Sequence, residues 1–386
     1  MKHLFNGVFN GLRVLLTGHT GFKGSWLTIW LKQMGAQVIG YSLTEPPTIP
    51  SNYEITKTTQ YITDVRGDIR DYETLVRTIM RYQPTLIIHF AAQTTVLDSY
   101  TQPKMTFDTN VGGTVNLLEA VRHCETVKAV VICTTDKVYE NKAWVWGYRE
   151  NDELGGYDPY STSKAMAELA INSFRRSFFS GDMASTHPAT AIGSVRAGNV
   201  IGGGDFTKNG LLADVMRSIL QEEPIYLRNP SSTRPWQYVL EPLSGYLCLA
   251  SKLLQIGQEY AQAWNFGPLQ HKEITTKEIV EKITRIWGYG TRIKDITDSM
   301  SEIQNAHEAH NLNLNWDKAA NLLNWHPVYT IDEALAETVK WYKAFQQNQD
   351  MYKICCQCIA LYSARAQEIS LPWATNNMVP NEIPRN

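Results

Sequence analysis

The feature that most constrains this chain is a glycine-rich turn between a strand and a helix near its start. Residues 12–17 are an apolar run of strand length. They lead into Gly18-His19-Thr20-Gly21-Phe22-Lys23-Gly24, and a helical stretch follows over 24–34. Glycines at i, i+3 and i+6 let a backbone turn tightly and approach a pyrophosphate, whose charge then rests on the helix N-terminus. The spacing alone is weak evidence. At the first strand–helix junction of a βαβ unit it points to a dinucleotide. His19 and Lys23 stand inside the loop as candidate phosphate contacts.

The pattern downstream supports that placement. A second strand is expected over 37–42, after Gly35 stops the helix. A helix over 71–81 opens on Asp71 as its cap. A strand at 86–89 precedes a helix over 103–122 with Pro103 in its first turn. The β-branched run 128–134 reads as a strand. Asp158, Pro159 and Tyr160 read as the cap and first turn of a helix reaching about residue 179, followed by a strand at 191–197. Alternation of this kind predicts a parallel sheet covered on both faces. Beyond Gly204 helices and loops dominate, with a helix at 241–254 and a strand at 263–266 that returns to the main sheet. The expected fold is α/β, a Rossmann-like doubly wound parallel sheet with a smaller, interleaved C-terminal substrate lobe. Residues 11–200 and about 236–268 are assigned to the nucleotide-binding domain, and about 201–235 and 269–362 to the lobe. The Pro- and Asn-rich stretch 372–386 reads as a loose tail.

Composition narrows the function. With 386 residues, 43% apolar and 19% charged, the chain has ample material for a core and is not globally disordered. Lys and Arg number 36 against 38 Asp and Glu, a net charge of −2. Nothing in that balance drives the chain toward nucleic acid or an anionic membrane. No apolar run approaches the roughly 20 residues of a membrane helix. The opening residues lack the apolar core and cleavage site of a signal peptide, so a cytoplasmic location is expected. Cys124, Cys133 and Cys248 sit in apolar runs and read as buried thiols. Cys355, Cys356 and Cys358 lack a fourth ligand at zinc spacing and read as thiols packed inside a helix. His307 and His310 match no metal frame, so no metal site is expected.

A second chemical signal is Tyr160-Ser161-Thr162-Ser163-Lys164. Spacing i, i+4 places tyrosine and lysine on one helix face. A nearby ammonium lowers a tyrosine pKa from about 10, so Tyr160 is expected to take a proton from an alcohol as hydride leaves its carbon. Lys164 also suits the nicotinamide ribose. The acid that usually reads the adenosine ribose is missing. The second strand ends Gly40-Tyr41-Ser42-Leu43, and no arginine stands there to take a 2′-phosphate. This position therefore leaves NAD and NADP both open. Asp68, in Gly67-Asp68-Ile69, is either an acceptor for the adenine amino group or a turn residue.

The glycine loop, the Tyr–Lys pair and their order resemble the short-chain dehydrogenase/reductase superfamily in its extended form, over residues 12 to 362. Residues 133–139, Cys-Thr-Thr-Asp-Lys-Val-Tyr, follow a strand at the carboxyl edge of the sheet and resemble the nucleotide-sugar 4,6-dehydratases. The blocks Trp144-Val145-Trp146-Gly147-Tyr148-Arg149-Glu150-Asn151 and Gly155-Gly156-Tyr157-Asp158-Pro159-Tyr160 are more specific. With residues 196–205 and Arg234-Pro235-Trp236-Gln237-Tyr238-Val239, they are similar to the CDP-glucose 4,6-dehydratase family. That resemblance implies NAD as cofactor and CDP-glucose as substrate. It adds Thr20, Phe22, Ile69, Ala91, Ala92 and Gln93 to the cofactor contacts.

The resemblance also implies a mechanism. Tyr160 takes the sugar 4-hydroxyl proton as C4 gives up hydride, and Thr135 bonds the 4-oxygen. A base removes the C5 proton, and Asp136, its pKa raised in a dry site, protonates the departing 6-hydroxyl. Lys137 is either that base, which requires the neutral amine, or an electrostatic stabiliser of the enolate. Arg234 suits the substrate pyrophosphate through paired bonds, Asn199 suits the substrate, and Arg228 is either a further contact or a surface charge. A homodimer through helices 103–122 and 160–179 is implied. The chain departs from its relatives at Thr94, Thr95 and Leu97, where they carry Pro, Leu and Arg. The alternatives are a dehydratase or 4-epimerase for another nucleotide sugar, and a non-catalytic NAD-binding protein. The Asp136–Lys137 pair argues against epimerisation, and the intact Tyr–Lys pair argues against loss of catalysis.

Overall fold

Seven strands form one parallel sheet. Six are β1 (Arg13–Thr17), β2 (Gln37–Ser42), β3 (Thr63–Arg66), β4 (Leu86–His89), β5 (Ala129–Cys133) and β6 (Ala191–Ala197). The seventh is Ala263–Phe266. Their spatial order is Ala263–Phe266, β6, β5, β4, β1, β2, β3, every pair parallel. The computed structural model describes residues 1–180, 190–227, 229–269, 274–288, 293–295 and 312–375. Arg228, His307 and His310 lie outside them.

The central strands β1, β4 and β5 are largely apolar because each face is covered, and their period of two divides the core. Leu16, Ile88, Val131 and Val195 join the core beneath helices Phe22–Gln33 and Leu240–Gln255. Leu15, Ile87, Val130 and Ile192 join the opposite core, under Tyr72–Tyr82, Gly113–Arg122 and Pro159–Phe178. The chain leaves the centre through β1, β2 and β3, then crosses back to β4 on the other side of β1. The reversal opens a crevice at the carboxyl ends of β1 and β4, where ligands of such sheets bind.

The expected elements appear within a residue or two, with instructive exceptions. The helix expected over 103–122 is interrupted. Pro103–Phe107 and Gly113–Arg122 are joined by a π-turn at Asp108–Gly112 that carries Asn110. The departure segment adds a short helix, Val96–Thr101. The expected loose tail is corrected at its start. Pro372–Thr375 is helical, and Trp373 is buried against Phe5, with ring centroids 5.0 Å apart. The tail's average composition hid this single aromatic anchor. Helix Met351–Glu368 lies against Phe22–Gln33, where Tyr362 and Trp30 meet edge to face at 5.9 Å. Among the described residues no helix is long and apolar enough to cross a membrane.

Candidate active site

The glycine loop is built for close approach. Gly18 adopts φ +72°, and a Cβ there would lie 2.7 Å from the Ala91 nitrogen. A Cβ on Gly24 would lie 2.1 Å from the Gly18 carbonyl oxygen. The loop therefore folds onto both the end of β4 and the first turn of helix Phe22–Gln33. Gly21 is the N-cap of that helix, and no side chain caps it. The first-turn amides, Phe22 among them, are thus available to an anion beside Thr20, and a pyrophosphate fits the cradle.

The two charged loop residues face elsewhere. His19 is fully buried. Its Nε2 is 2.9 Å from Asp64 Oδ1 and its Nδ1 is 2.9 Å from Ser42 Oγ. Gly40 leaves room for the ring, since a Cβ there would come within 2.5 Å of it. The expectation that the imidazole reaches a phosphate is therefore corrected: it ties the loop to β2 and β3. Lys23 turns inward, with Nζ 3.4 Å from Cys133 Sγ at the end of β5.

At the adenosine end, Asp68 follows β3 and Ile69 is buried beside Gly113. Arg70 holds the Asp68 carboxylate at 2.6 Å and keeps it below the usual carboxylate range. Asp68, Arg70, Asp71, Asp108, Gly112 and Asn116 line an open depression there. The reading that no arginine stands at the end of β2 is corrected. Parallel pairing places Arg66 of β3 beside Ser42, and its Nη1 donates to the carbonyls of Leu43 and Thr44 at 2.9 and 3.2 Å. Asp64 and Tyr53 take its remaining bonds.

Asn110 links the end of β4 to the helix that carries Tyr160. It accepts from the Gln93 amide at 2.9 Å and donates to the Gln93 carbonyl and to Ser163 Oγ. Ala91 and Ala92 lie half-buried between Gln93 and the glycine loop.

Tyr160 and Lys164 sit in the first turns of helix Pro159–Phe178, which Asp158 caps by accepting from the Ser161 amide at 2.9 Å. Both side chains are buried. Lys164 donates to the Cys133 carbonyl at 3.2 Å. Burial, with Lys23 adding to it, pushes the Lys164 ammonium down to about 8. The expected lowering of Tyr160 is corrected for the protein alone. Burial pushes its hydroxyl well above the ordinary range. The Thr135 hydroxyl bond opposes this and Asp136 adds to it.

Thr135, Asp136 and Lys137 come one residue after the end of β5, with Asp136–Val138 forming one 3-10 turn. Asp136 is buried and its Oδ1 accepts from Thr135 Oγ1 at 3.0 Å. Burial raises its pKa, against the nearby charges of Lys137 and Arg234. Lys137 is half-buried. The loop after β6 packs on this carboxylate, since a Cβ on Gly198 would lie 3.0 Å from Asp136 Oδ2. Asn199 follows, and its carbonyl accepts from the Gln237 amide at 3.0 Å. The same pairing brings in Arg234, whose Nη1 donates to the Thr233 carbonyl at 2.7 Å. Arg234, Trp236, Tyr238 and Tyr329 line a small cleft that continues from there.

The structure thus gathers Tyr160, Lys164, Thr135, Asp136, Asn199 and Arg234 at one sheet edge, beside the glycine cradle. Sequence reasoning missed Glu168, Arg196 and Arg66, which reach the site through contacts distant in sequence. Cys355 and Cys358 are buried in helix Met351–Glu368, with Trp341 Nε1 3.3 Å from Cys355 Sγ. Among the described residues no cluster of potential ligands could hold a metal.

Comparison with known proteins agrees with this geometry. The family described as GDP-mannose 4,6 dehydratase matches residues 15–338. CDP-glucose 4,6-dehydratase of Salmonella typhimurium is 47% identical over 343 residues, covering 89% of this chain and 94% of that protein. Solved structures share the fold. A dTDP-glucose 4,6-dehydratase from Bacillus anthracis in complex with NAD superposes with a TM-score of 0.71 at 24% identity, over 89% of this chain and all (100%) of the other. A UDP-glucose 4-epimerase from Thermotoga maritima gives 0.72 at 22% identity, over 86% and 99%. The chain belongs to the GDP-mannose 4,6 dehydratase family of nucleotide-sugar dehydratases, within the extended short-chain dehydrogenases/reductases.

Proposed function

We propose that this protein is a hydro-lyase that converts CDP-glucose to CDP-4-keto-6-deoxy-glucose with NAD as resident cofactor. The observation that carries the reaction is the placement of a buried Asp136, its pKa raised by that burial, beside Thr135, Tyr160 and Arg234. An epimerase needs no acid there, because no group leaves. The choice of CDP-glucose rests on the similarity to the Salmonella typhimurium enzyme over nearly the whole chain.

The glycine cradle, the uncapped helix start at Gly21 and the depression by Asp68 suit the pyrophosphate and adenosine of NAD. The nicotinamide supplies a reversible hydride acceptor. Tyr160 takes the 4-hydroxyl proton, with Thr135 bonding that oxygen. Lys164, still charged near pH 7 with its pKa lowered to about 8, supplies positive charge on the same helix face as the phenol. The 4-ketone acidifies C5, and Lys137 takes the C5 proton. Asp136 protonates the 6-hydroxyl, which leaves as water. With a proton returned to C5, and the hydride that the nicotinamide would give back to C6, the net change is loss of one water. Arg234 grips the pyrophosphate and Asn199 the sugar side of the substrate.

The exposed apolar residues Met166, Leu169 and Phe178 on helix Pro159–Phe178 support a homodimer through that helix and Gly113–Arg122. The test incubates protein and NAD⁺ separately with CDP-, dTDP-, UDP- and GDP-glucose, reading loss of one water by mass spectrometry. Water loss from CDP-glucose alone supports the proposal. Loss from another nucleotide sugar overturns the substrate, and no loss from any overturns the reaction.

A further inference from the structure

The two residues assigned to the elimination, Asp136 and Lys137, occupy one 3-10 turn that opens on Thr135. So short a turn has little internal hydrogen bonding to fix it. Its two flanks, however, are tied to a single buried ion pair. Upstream, Thr134 Oγ1 donates to Glu168 Oε1 at 2.6 Å. Downstream, Arg196 Nη1 donates to the Tyr139 hydroxyl at 2.7 Å, and that hydroxyl donates to Asn265 Oδ1 at 2.8 Å. Glu168 and Arg196 face each other through two bonds of 3.0 and 2.9 Å, each side chain only 3% exposed. Ser194 completes the carboxylate at 2.8 Å, and the Glu150 carbonyl takes a further guanidinium bond at 3.0 Å. Burial alone would raise the Glu168 carboxyl, yet Arg196 and these hydroxyls hold it at about 2. The pair is therefore charged and saturated, the condition under which a buried network is rigid.

The anchors join three elements. Glu168 lies one turn beyond Lys164 on helix Pro159–Phe178. Arg196 lies on β6, just before Asn199. Asn265 lies on the neighbouring strand and donates to the carbonyls of Tyr148 and Asn315. Tyr160 and Lys164 have further anchors of their own, the Asp158 cap, the Ser163–Asn110 bond and the Cys133 carbonyl.

From this asymmetry we infer that Glu168 and Arg196 are positioning residues for the elimination half of the reaction. They act through the Thr134 and Tyr139 hydroxyls to hold Asp136 and Lys137 against the sugar, while Tyr160 and Lys164, which serve the oxidation at C4, keep additional anchors. The inference rests on the dehydratase reading above. Displacement of about 1 Å at a reacting group costs roughly a hundredfold in rate.

Tyr139→Phe is the direct probe. Its ring keeps the stack on Tyr148 at 5.1 Å and its place under Arg196 at 4.9 Å, so only the hydroxyl is lost. Thr134→Val is the second probe, at the other flank. Each variant is incubated with CDP-glucose and NAD⁺, quenched with borodeuteride, and its trapped ketones are sorted by mass into those retaining and those lacking the 6-hydroxyl. The expected result is turnover reduced roughly ten- to a hundredfold, KM little changed, and a larger fraction of undehydrated 4-ketone than in the parent protein. Parent-like turnover, or a loss of rate with no rise in undehydrated ketone in either variant, overturns the inference. Absence of water loss in the parent protein overturns the functional reading itself, and this inference with it.

Discussion

Replacing Lys164 by methionine should make the protein more stable while abolishing its activity. Lys164 is fully enclosed, and burial pushes its ammonium from 10.5 down to about 8. At about 1.4 kcal/mol per pH unit, that depression is roughly 3 kcal/mol spent holding the charged form in the folded state. Near neutrality the wild type carries this cost and the methionine variant does not. The variant keeps most of the side-chain volume but leaves the Cys133 carbonyl without its donor, which offsets about 1–3 kcal/mol. A gain of between zero and roughly 2 kcal/mol is therefore expected at about pH 7. The sign of the pH dependence is the sharper quantity. Between about 8 and 10.5 the unfolded chain holds a proton that the folded chain has shed. Wild-type stability must rise with pH across that window, relative to the variant, by roughly 3 kcal/mol in all. Urea unfolding of the cofactor-free proteins, followed by tryptophan fluorescence at about pH 7 and about pH 10.5, measures both quantities. A difference between the proteins that stays constant with pH would refute the reasoning, because it would show that Lys164 is not charged at a cost.

The remaining predictions concern activity. Tyr160→Phe removes the group that takes the 4-hydroxyl proton, so steady-state turnover should fall roughly a hundredfold or more, with nucleotide-sugar binding by calorimetry unchanged. Asp136→Asn cannot protonate the 6-hydroxyl, and mass spectrometry should find the 4-ketone with its 6-hydroxyl retained. Gly24→Ala would set a Cβ 2.1 Å from the Gly18 carbonyl oxygen and 2.8 Å from the His19 Cα. Backbone blocks both directions, so destabilisation of about 1–3 kcal/mol and loss of NAD⁺ binding by titration calorimetry are expected.

Much of this fold was legible because its signals are local. Asp71 and Asp158 announce the helices they cap, Pro103 and Pro159 stand in first turns, and the apolar runs at 86–89 and 191–197 coincide with buried strands. The Tyr160–Lys164 spacing and the position of Asp136 after β5 placed the chemistry at the sheet edge. Errors came where a side chain's direction depends on distant partners. His19 looks like a phosphate contact from its place in the loop, but the space above Gly40 and the carboxylate of Asp64 turn it inward. Arg66 lies far along the chain from Leu43, yet parallel pairing makes them neighbours. Glu168 and Arg196 each read as an ordinary charge until β6 and the catalytic helix are brought together. The effect of burial on Tyr160 likewise depends on enclosure, which no spacing of two residues reveals.

The covering of helix Phe22–Gln33 bears on how the chain is made. Residues 24 to 31 are all buried. Trp30 is enclosed by Phe5, Tyr362 and Trp373, with ring centroids 6.3, 5.9 and 6.0 Å away. Phe5 leaves the ribosome long before Tyr362 and Trp373. The nascent sheet can pair β1, β2 and β4 early. The helix that presents the phosphate cradle keeps an uncovered apolar face until Tyr362 and Trp373 have been made. Nucleotide-binding competence is thereby tied to helix Met351–Glu368 and Trp373, and a chain that stops short of Met351 would carry the whole catalytic constellation while leaving its cofactor-binding helix open to water and to chaperones.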